Sequence, residues 1–143
     1  MNAMNMPVTA SIELGEDFAD IREGVRRICA DFPQTYWRNL DKEEGYPSEF
    51  VQAMTEAGYL ASLIPEEYGG AGLPIRAAGV ILQECHASGC YAAAAHAQMY
   101  TMGTLLRHGT EEQKLKYLPK IATGELRLQA FGVTEPTTGT DTT

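Results

Sequence analysis

Apolar positions early in the chain recur at helical intervals. Phe18, Ile21, Val25, Ile28 and Phe32 alternate three and four residues apart, the spacing that lines one face of an amphipathic helix. Arg22, Glu23, Arg26 and Arg27 fall on its wet side, and Pro33 closes it. A second helix is expected to open at Pro47, because proline suits the first helical position. It turns Phe50, Val51, Met54 and Ala57 inward and ends at a left-handed Gly58. Residues 64–73 hold three glycines and a proline and read as an ordered loop. A third helix starts at Pro74, runs through Ile75, Ala78, Leu82 and Cys85, and breaks near Ser88 and Gly89.

The fourth helix, about residues 90–108, is apolar on most sides (Ala92, Ala95, Met99, Met102, Leu105, Leu106), the mark of a helix central to its bundle. Gly109 ends it. Thr110-Glu-Glu-Gln113 then fits a capping box and opens a fifth helix, with Leu115 and Leu118 facing in and Pro119 bending or ending it. Beyond it the period changes to two. Leu126, Leu128 and Ala130 alternate with Arg127 and Gln129, and the apolar phase shifts to Phe131 and Val133 across Gly132, as a bulge would cause. The pattern predicts an all-α fold, a helical bundle of about five helices at residues 16–125, followed by the first strand of a truncated β domain at 126–143. Residues 1–15 show no periodicity and read as a mobile, disordered lead-in. An isolated strand would expose unpaired edges, inviting disorder, pairing with another chain or self-association.

Composition narrows the function classes. Of 143 residues, 44% are hydrophobic and 21% charged, which is ordinary for a globular domain. Eleven basic residues against nineteen acidic ones give a net charge of −8, a balance that argues against nucleic-acid partners and anionic membranes. No stretch reads as a membrane span: the most apolar one contains His96 and Gln98. No signal peptide is visible at the N-terminus. Three cysteines, Cys29, Cys85 and Cys90, fit reduced thiols in a cytoplasmic setting.

The segment that carries chemistry is Phe131-Gly-Val-Thr-Glu-Pro-Thr-Thr-Gly-Thr-Asp-Thr-Thr143. Phe131 is an aromatic neighbour for a flat cofactor, and the Thr134 hydroxyl can donate to a ring oxygen or accept from a ring nitrogen. Pro136 stiffens the exit, and Gly139 permits close backbone approach in a turn with free amides. Taken alone, this is only a strand followed by a polar turn. Other candidates are weaker. Tyr68-Gly-Gly-Ala-Gly72 lacks the lysine and hydroxyl of a phosphate loop. Cys85, His86, Cys90 and His96 are spaced onto different helix faces, so buried thiols and satisfied histidines are the simpler reading and no metal site is assigned. Cys85 as a nucleophile lacks a facing base, since adjacent helical residues such as His86 point apart. His108 is more simply a dipole partner at a helix C-terminus.

Three blocks in order, Ile64-Pro-Glu-Glu-Tyr-Gly-Gly-Ala-Gly-Leu73, Gly109-Thr-Glu-Glu-Gln-Lys-Leu-Lys-Tyr-Leu-Pro119 and Thr134-Glu-Pro-Thr-Thr-Gly-Thr-Asp141, closely resemble the N-terminal part of the acyl-CoA dehydrogenase family. That family carries Thr-Glu-Pro, two variable residues, Gly-Ser and Asp; here Thr140 stands for the serine and keeps the hydroxyl. The resemblance implies FAD as cofactor, bordered by Phe131, Val133 and Thr134, with Thr140 touching both cofactor and acyl-CoA substrate. It implies α,β-dehydrogenation of an acyl-CoA thioester, an electron-transfer acceptor and a homo-oligomer for the full-length enzyme. It also implies that the bundle walls the acyl-chain channel near His96, Gln98, Met99 and Met102, although core packing is the plainer role for each. The family's carboxylate base lies far downstream, so no catalytic residue is assigned and the chain is expected to be an inactive fragment. An acyl-CoA oxidase on the same scaffold and a non-enzymatic helical interaction module are the alternatives.

Overall fold

The computed structural model describes residues 17–130, 132 and 134–139. Among them six α-helices carry the fold: α1 (Ala19–Ala30), α2 (Gln34–Lys42), α3 (Ser48–Glu56), α4 (Ile75–Ala87), α5 (Ala93–His108) and α6 (Glu111–Thr123). Two single-turn 3-10 helices, Tyr59–Ala61 and Glu66–Tyr68, lie between α3 and α4. The expected all-α bundle is present with one helix more than predicted. The lead-in assigned to residues 1–15 lies outside the described residues.

The core forms where α1 packs on α4, α3 on α1, and α5 on α6. Val25, Met54, Ile64, Ile81, Met102 and Leu118 are fully buried there, each stabilising the fold by about 1.5–3 kcal/mol through apolar burial. Glu84 is buried with this layer and is satisfied by two arginines of α1. Arg22 Nη1 lies 2.5 Å from Glu84 Oε1, and Arg26 Nε lies 2.7 Å from Glu84 Oε2. The hydrogen bonds from Arg22 and then Arg26 hold the Glu84 carboxyl below the usual carboxylate range.

The additional helix, α2, begins directly after Pro33, so the proline that stops α1 also opens its successor. None of its residues is fully buried. It adheres through aromatic edges instead: Trp37 meets Phe50 at 5.1 Å and 74°, and Tyr36 meets Phe32 at 5.1 Å and 66°. Trp37 Nε1 also donates to the Phe32 carbonyl at 3.0 Å.

Gly58 follows α3 at φ 79°, the left-handed turn expected of it. The glycine-rich stretch is ordered by backbone bonds, with Gly72 N donating to Ile64 O at 2.8 Å and Leu73 N to Ser62 O at 2.7 Å. A side chain at Gly70 would collide with the backbone of Ile64, so this glycine serves close packing of the loop on itself and not phosphate approach.

Five local expectations change. Pro119 neither ends nor bounds α6, which continues to Thr123. The amide that proline lacks would have paired with the carbonyl of Leu115, a residue on the solvent side of the helix at 65% exposure. Leu115 therefore faces solvent and not the core. Ile75 is likewise 72% exposed at the start of α4, and Ala57 is exposed just past α3. Residues 126–130 form no strand ladder. The only pairing among the described residues of the tail is an isolated antiparallel bridge between Glu135 and Thr138. A strand needs a neighbour to satisfy its backbone groups, and no other strand lies among the described residues.

Candidate cofactor and substrate site

The path toward the polar turn is set by α6. Its capping box is complete: Thr110 Oγ1 accepts from Gln113 N at 3.2 Å, and Gln113 Oε1 accepts from Thr110 N at 2.8 Å. Leu126 N donates to Lys120 O at 3.0 Å and fixes the exit from the helix. Side chains then tie the tail to the bundle. Arg127 Nη2 donates to Gln52 Oε1 on α3 at 2.7 Å. Tyr46 OH donates to Gln129 Oε1 at 2.5 Å, Gln129 Nε2 to Gln98 Oε1 at 3.0 Å, and Gln98 Nε2 to the Leu60 carbonyl at 3.2 Å. Gln98 is only 1% exposed, so this chain of bonds runs from the surface into the core.

Past this anchor the backbone turns on itself. Glu135 N donates to Thr138 O at 3.2 Å and Thr138 N to Glu135 O at 3.3 Å, with Pro136 and Thr137 at the corner. Thr134 is exposed beside the turn. A side chain built at Gly132 would meet nothing within 4 Å, and one at Gly139 would meet only the Thr134 methyl at 3.9 Å. Exposed hydroxyls beside open backbone suit the polar edge of a flat ligand. Of the four residues implied as ligand contacts, Thr134 is described; Phe131, Val133 and Thr140 lie outside the described residues.

Two hollows flank the anchored segment and share Tyr100. One, of about 560 Å³, is lined by Tyr46, Tyr91, Ala93, His96, Ala97 and Gln129, among others. The other, of about 1040 Å³, is bordered by Leu105, Tyr117, Leu126 and Leu128, among others. Of the α5 residues considered for a channel wall, His96 lines the smaller hollow, whereas Gln98, Met99 and Met102 are buried in the bundle. Tyr46, Ala93, Tyr100 and Gln129 had not been singled out. Tyr100 one turn beyond His96, and the lone amide Gln129 within an apolar alternation, were the available signals.

The remaining candidates separate in space. Cys85 and Cys90 are buried while His86 and His96 are exposed, and no group of three metal-binding side chains converges among the described residues. The hydrogen bond to Cys29 and burial hold the Cys85 thiol well above its ordinary range, and burial pushes Cys90 up to about 12. Both remain thiols at neutral pH and are poor nucleophiles. No described helix is long and apolar enough to cross a membrane.

A family model described as the N-terminal domain of acyl-CoA dehydrogenase matches residues 15–125. The chain belongs to the acyl-CoA dehydrogenase family, a family of oxidoreductases. It is 40% identical over 127 residues to a glutaryl-CoA dehydrogenase of Desulfococcus multivorans, covering 85% of this chain and 31% of that protein. It is 36% identical over 130 residues to a 3-(aryl)acrylate reductase of Clostridium sporogenes, covering 87% and 34%. With the mitochondrial short-chain specific acyl-CoA dehydrogenase of Bos taurus it shares 30% identity over 142 residues, covering 94% and 33%. The chain thus spans about a third of the length of the curated relatives it matches.

Proposed function

We propose that this chain is the N-terminal portion of an FAD-dependent acyl-CoA dehydrogenase. In this reading it supplies one wall of the acyl channel and the first turn against the flavin. The carrying observation is the exposed Thr134 beside the closed Glu135–Thr138 turn, anchored to the bundle through Gln129 and Gln98. The open backbone at Gly132 and Gly139 fits a flat cofactor edge. Thr134 would hold that edge by its hydroxyl, with Phe131, Val133 and Thr140 completing the contact and Thr140 reaching the acyl-CoA.

When bound, FAD accepts the hydride removed in α,β-dehydrogenation. The residues of this chain position the cofactor edge and exclude water from one side. None of them takes the α-proton, so these 143 residues alone have no turnover. The domain division follows: a helical unit at 16–125, and at 126–143 the start of a β domain. The complete enzyme is a homo-oligomer that passes electrons to an acceptor protein. Three free cysteines support a reducing, cytoplasmic setting.

The test joins this chain to the remaining two thirds of a relative and measures flavin absorbance and acyl-CoA-dependent dye reduction. The 143 residues alone are expected to be colourless and the chimera to be yellow and active. Thr134→Val in the chimera should weaken FAD binding about tenfold, the worth of one hydrogen bond to a buried edge. A folded chimera without flavin, or one indifferent to Thr134→Val, overturns the reading.

A further inference from the structure

The two hollows beside the anchored segment differ in chemistry. The larger one is bordered by branched aliphatic side chains, Leu105, Leu126 and Leu128. The smaller one, of about 560 Å³, has no leucine, isoleucine, valine or methionine in its lining. Its apolar surface is built from alanines of α5, Pro47 and aromatic rings, and Glu44 and Gly45 complete the lining with Gln129.

Ala93 and Ala97 are one helical turn apart and Ala94 adjoins them, so their methyl groups make a low, flat floor. Tyr46, Tyr91, His96 and Tyr100 rise around it. His96 and Tyr100 already stand edge-on, with ring centroids 5.4 Å apart at 90°. A third ring on the alanine floor would extend that edge-to-face arrangement, which favours an aromatic guest beyond the area it buries. A flexible alkyl chain finds no branched side chains to interdigitate with and loses more conformational freedom on binding. Gln129 closes one side, but both polar ends of its amide are engaged by Tyr46 and Gln98. It therefore forms a fixed wall and does not compete for a polar headgroup.

We infer that this hollow is a binding site for an aryl group, which a ring-bearing acyl thioester would carry. The thioester part of that ligand rests on the function proposed above; the ring preference stands on the lining alone. The volume lies within the range typical of small-molecule sites.

The test uses the 143-residue chain and free acids, so it requires neither flavin nor thioester. Methyl NMR signals of Ala93, Ala94 and Ala97 are followed while 3-phenylpropanoate or hexanoate is added. The phenyl acid is expected to shift these methyls saturably, with a Kd about tenfold below that of hexanoate, the equivalent of one to two ring contacts. Ala93→Leu, on the half-buried floor, should weaken the phenyl acid about tenfold while the remaining methyl spectrum stays that of the folded protein. Ala93→Gly keeps the floor low and should retain binding, which separates a filled site from a damaged helix. Equal or tighter binding of hexanoate, shifts confined to residues of the leucine-lined groove, or no binding of either acid overturns the inference. Loss of flavin uptake in the chimera with ring binding intact would instead remove the cofactor reading and leave this one standing.

Discussion

Between α1 and α6 the chain buries Val25, Phe50, Met54, Ile81, Met102 and Leu118, whereas from Leu126 onward no described residue is buried. The bundle is held by area removed from water, a force indifferent to direction. The tail is held by three directional side-chain bonds, Arg127 to Gln52, Tyr46 to Gln129 and Gln129 to Gln98, with Leu126 and Leu128 only partly buried against the core. The first kind of cohesion is shared among many contacts and fails cooperatively. The second resides in a few atoms and can be released locally while the bundle remains folded. The difference places the candidate ligand turn on the less cohesive region, where binding can still order it.

Three measurements break or sharpen that contrast. The largest effect is expected from Phe50→Ala. Phe50 is fully buried and edge-on to both Phe32 and Trp37, so its loss should cost about 3–5 kcal/mol in urea unfolding and release α2 as well. A cost below about 1 kcal/mol would show that the site collapses freely and that the core is less close-packed than described.

A smaller effect is expected where the core uses charge. Glu84 has its folded pKa depressed by Arg22 and Arg26, so its contribution is complete above the unfolded carboxylate value of about 4.3 and is lost as pH falls through the folded value. Urea midpoints of the wild type should fall on acidification through that window, and those of Glu84→Gln should be lower at neutral pH and flatter in acid. Parallel curves would mean that the pair adds nothing to stability.

The smallest global effect belongs to Gln129→Leu. Backbone order parameters at 127–130 should drop from about 0.85 to below about 0.6, while overall stability falls by about 1–3 kcal/mol because the buried Gln98 oxygen loses its donor. A stability loss as large as that of Phe50→Ala would merge tail and bundle into one cooperative unit.

Much of this architecture was legible along the chain because its signals are local. The three-four spacing from Ile21 to Phe32 gave α1, the left-handed glycine gave the end of α3, and Thr110 with Gln113 gave the start of α6. Helix α2 was missed because its anchors, Tyr36 and Trp37, are adjacent in sequence and only half-buried, so they make no stripe. Pro119 misled because its cost depends on whether water reaches the Leu115 carbonyl, which sequence does not display. The polar turn was visible as a motif. The hollow beside it was not, because Tyr46, Ala93, Tyr100 and Gln129 are distant in sequence and meet only after folding.

Gln98 has a consequence for the accuracy of assembly. Its side-chain oxygen is buried and accepts from Gln129 alone among the described side chains. If the tail slipped by one position, Leu128 or Ala130 would stand opposite that oxygen, offering no donor and leaving a buried acceptor unpaired at about 1–3 kcal/mol. A lone amide inside the bundle thus works as a proofreading contact: it tolerates one alignment of the tail and penalises its neighbours. Whatever binds at the turn from Thr134 to Gly139 inherits a backbone whose alignment has already been checked a few residues earlier.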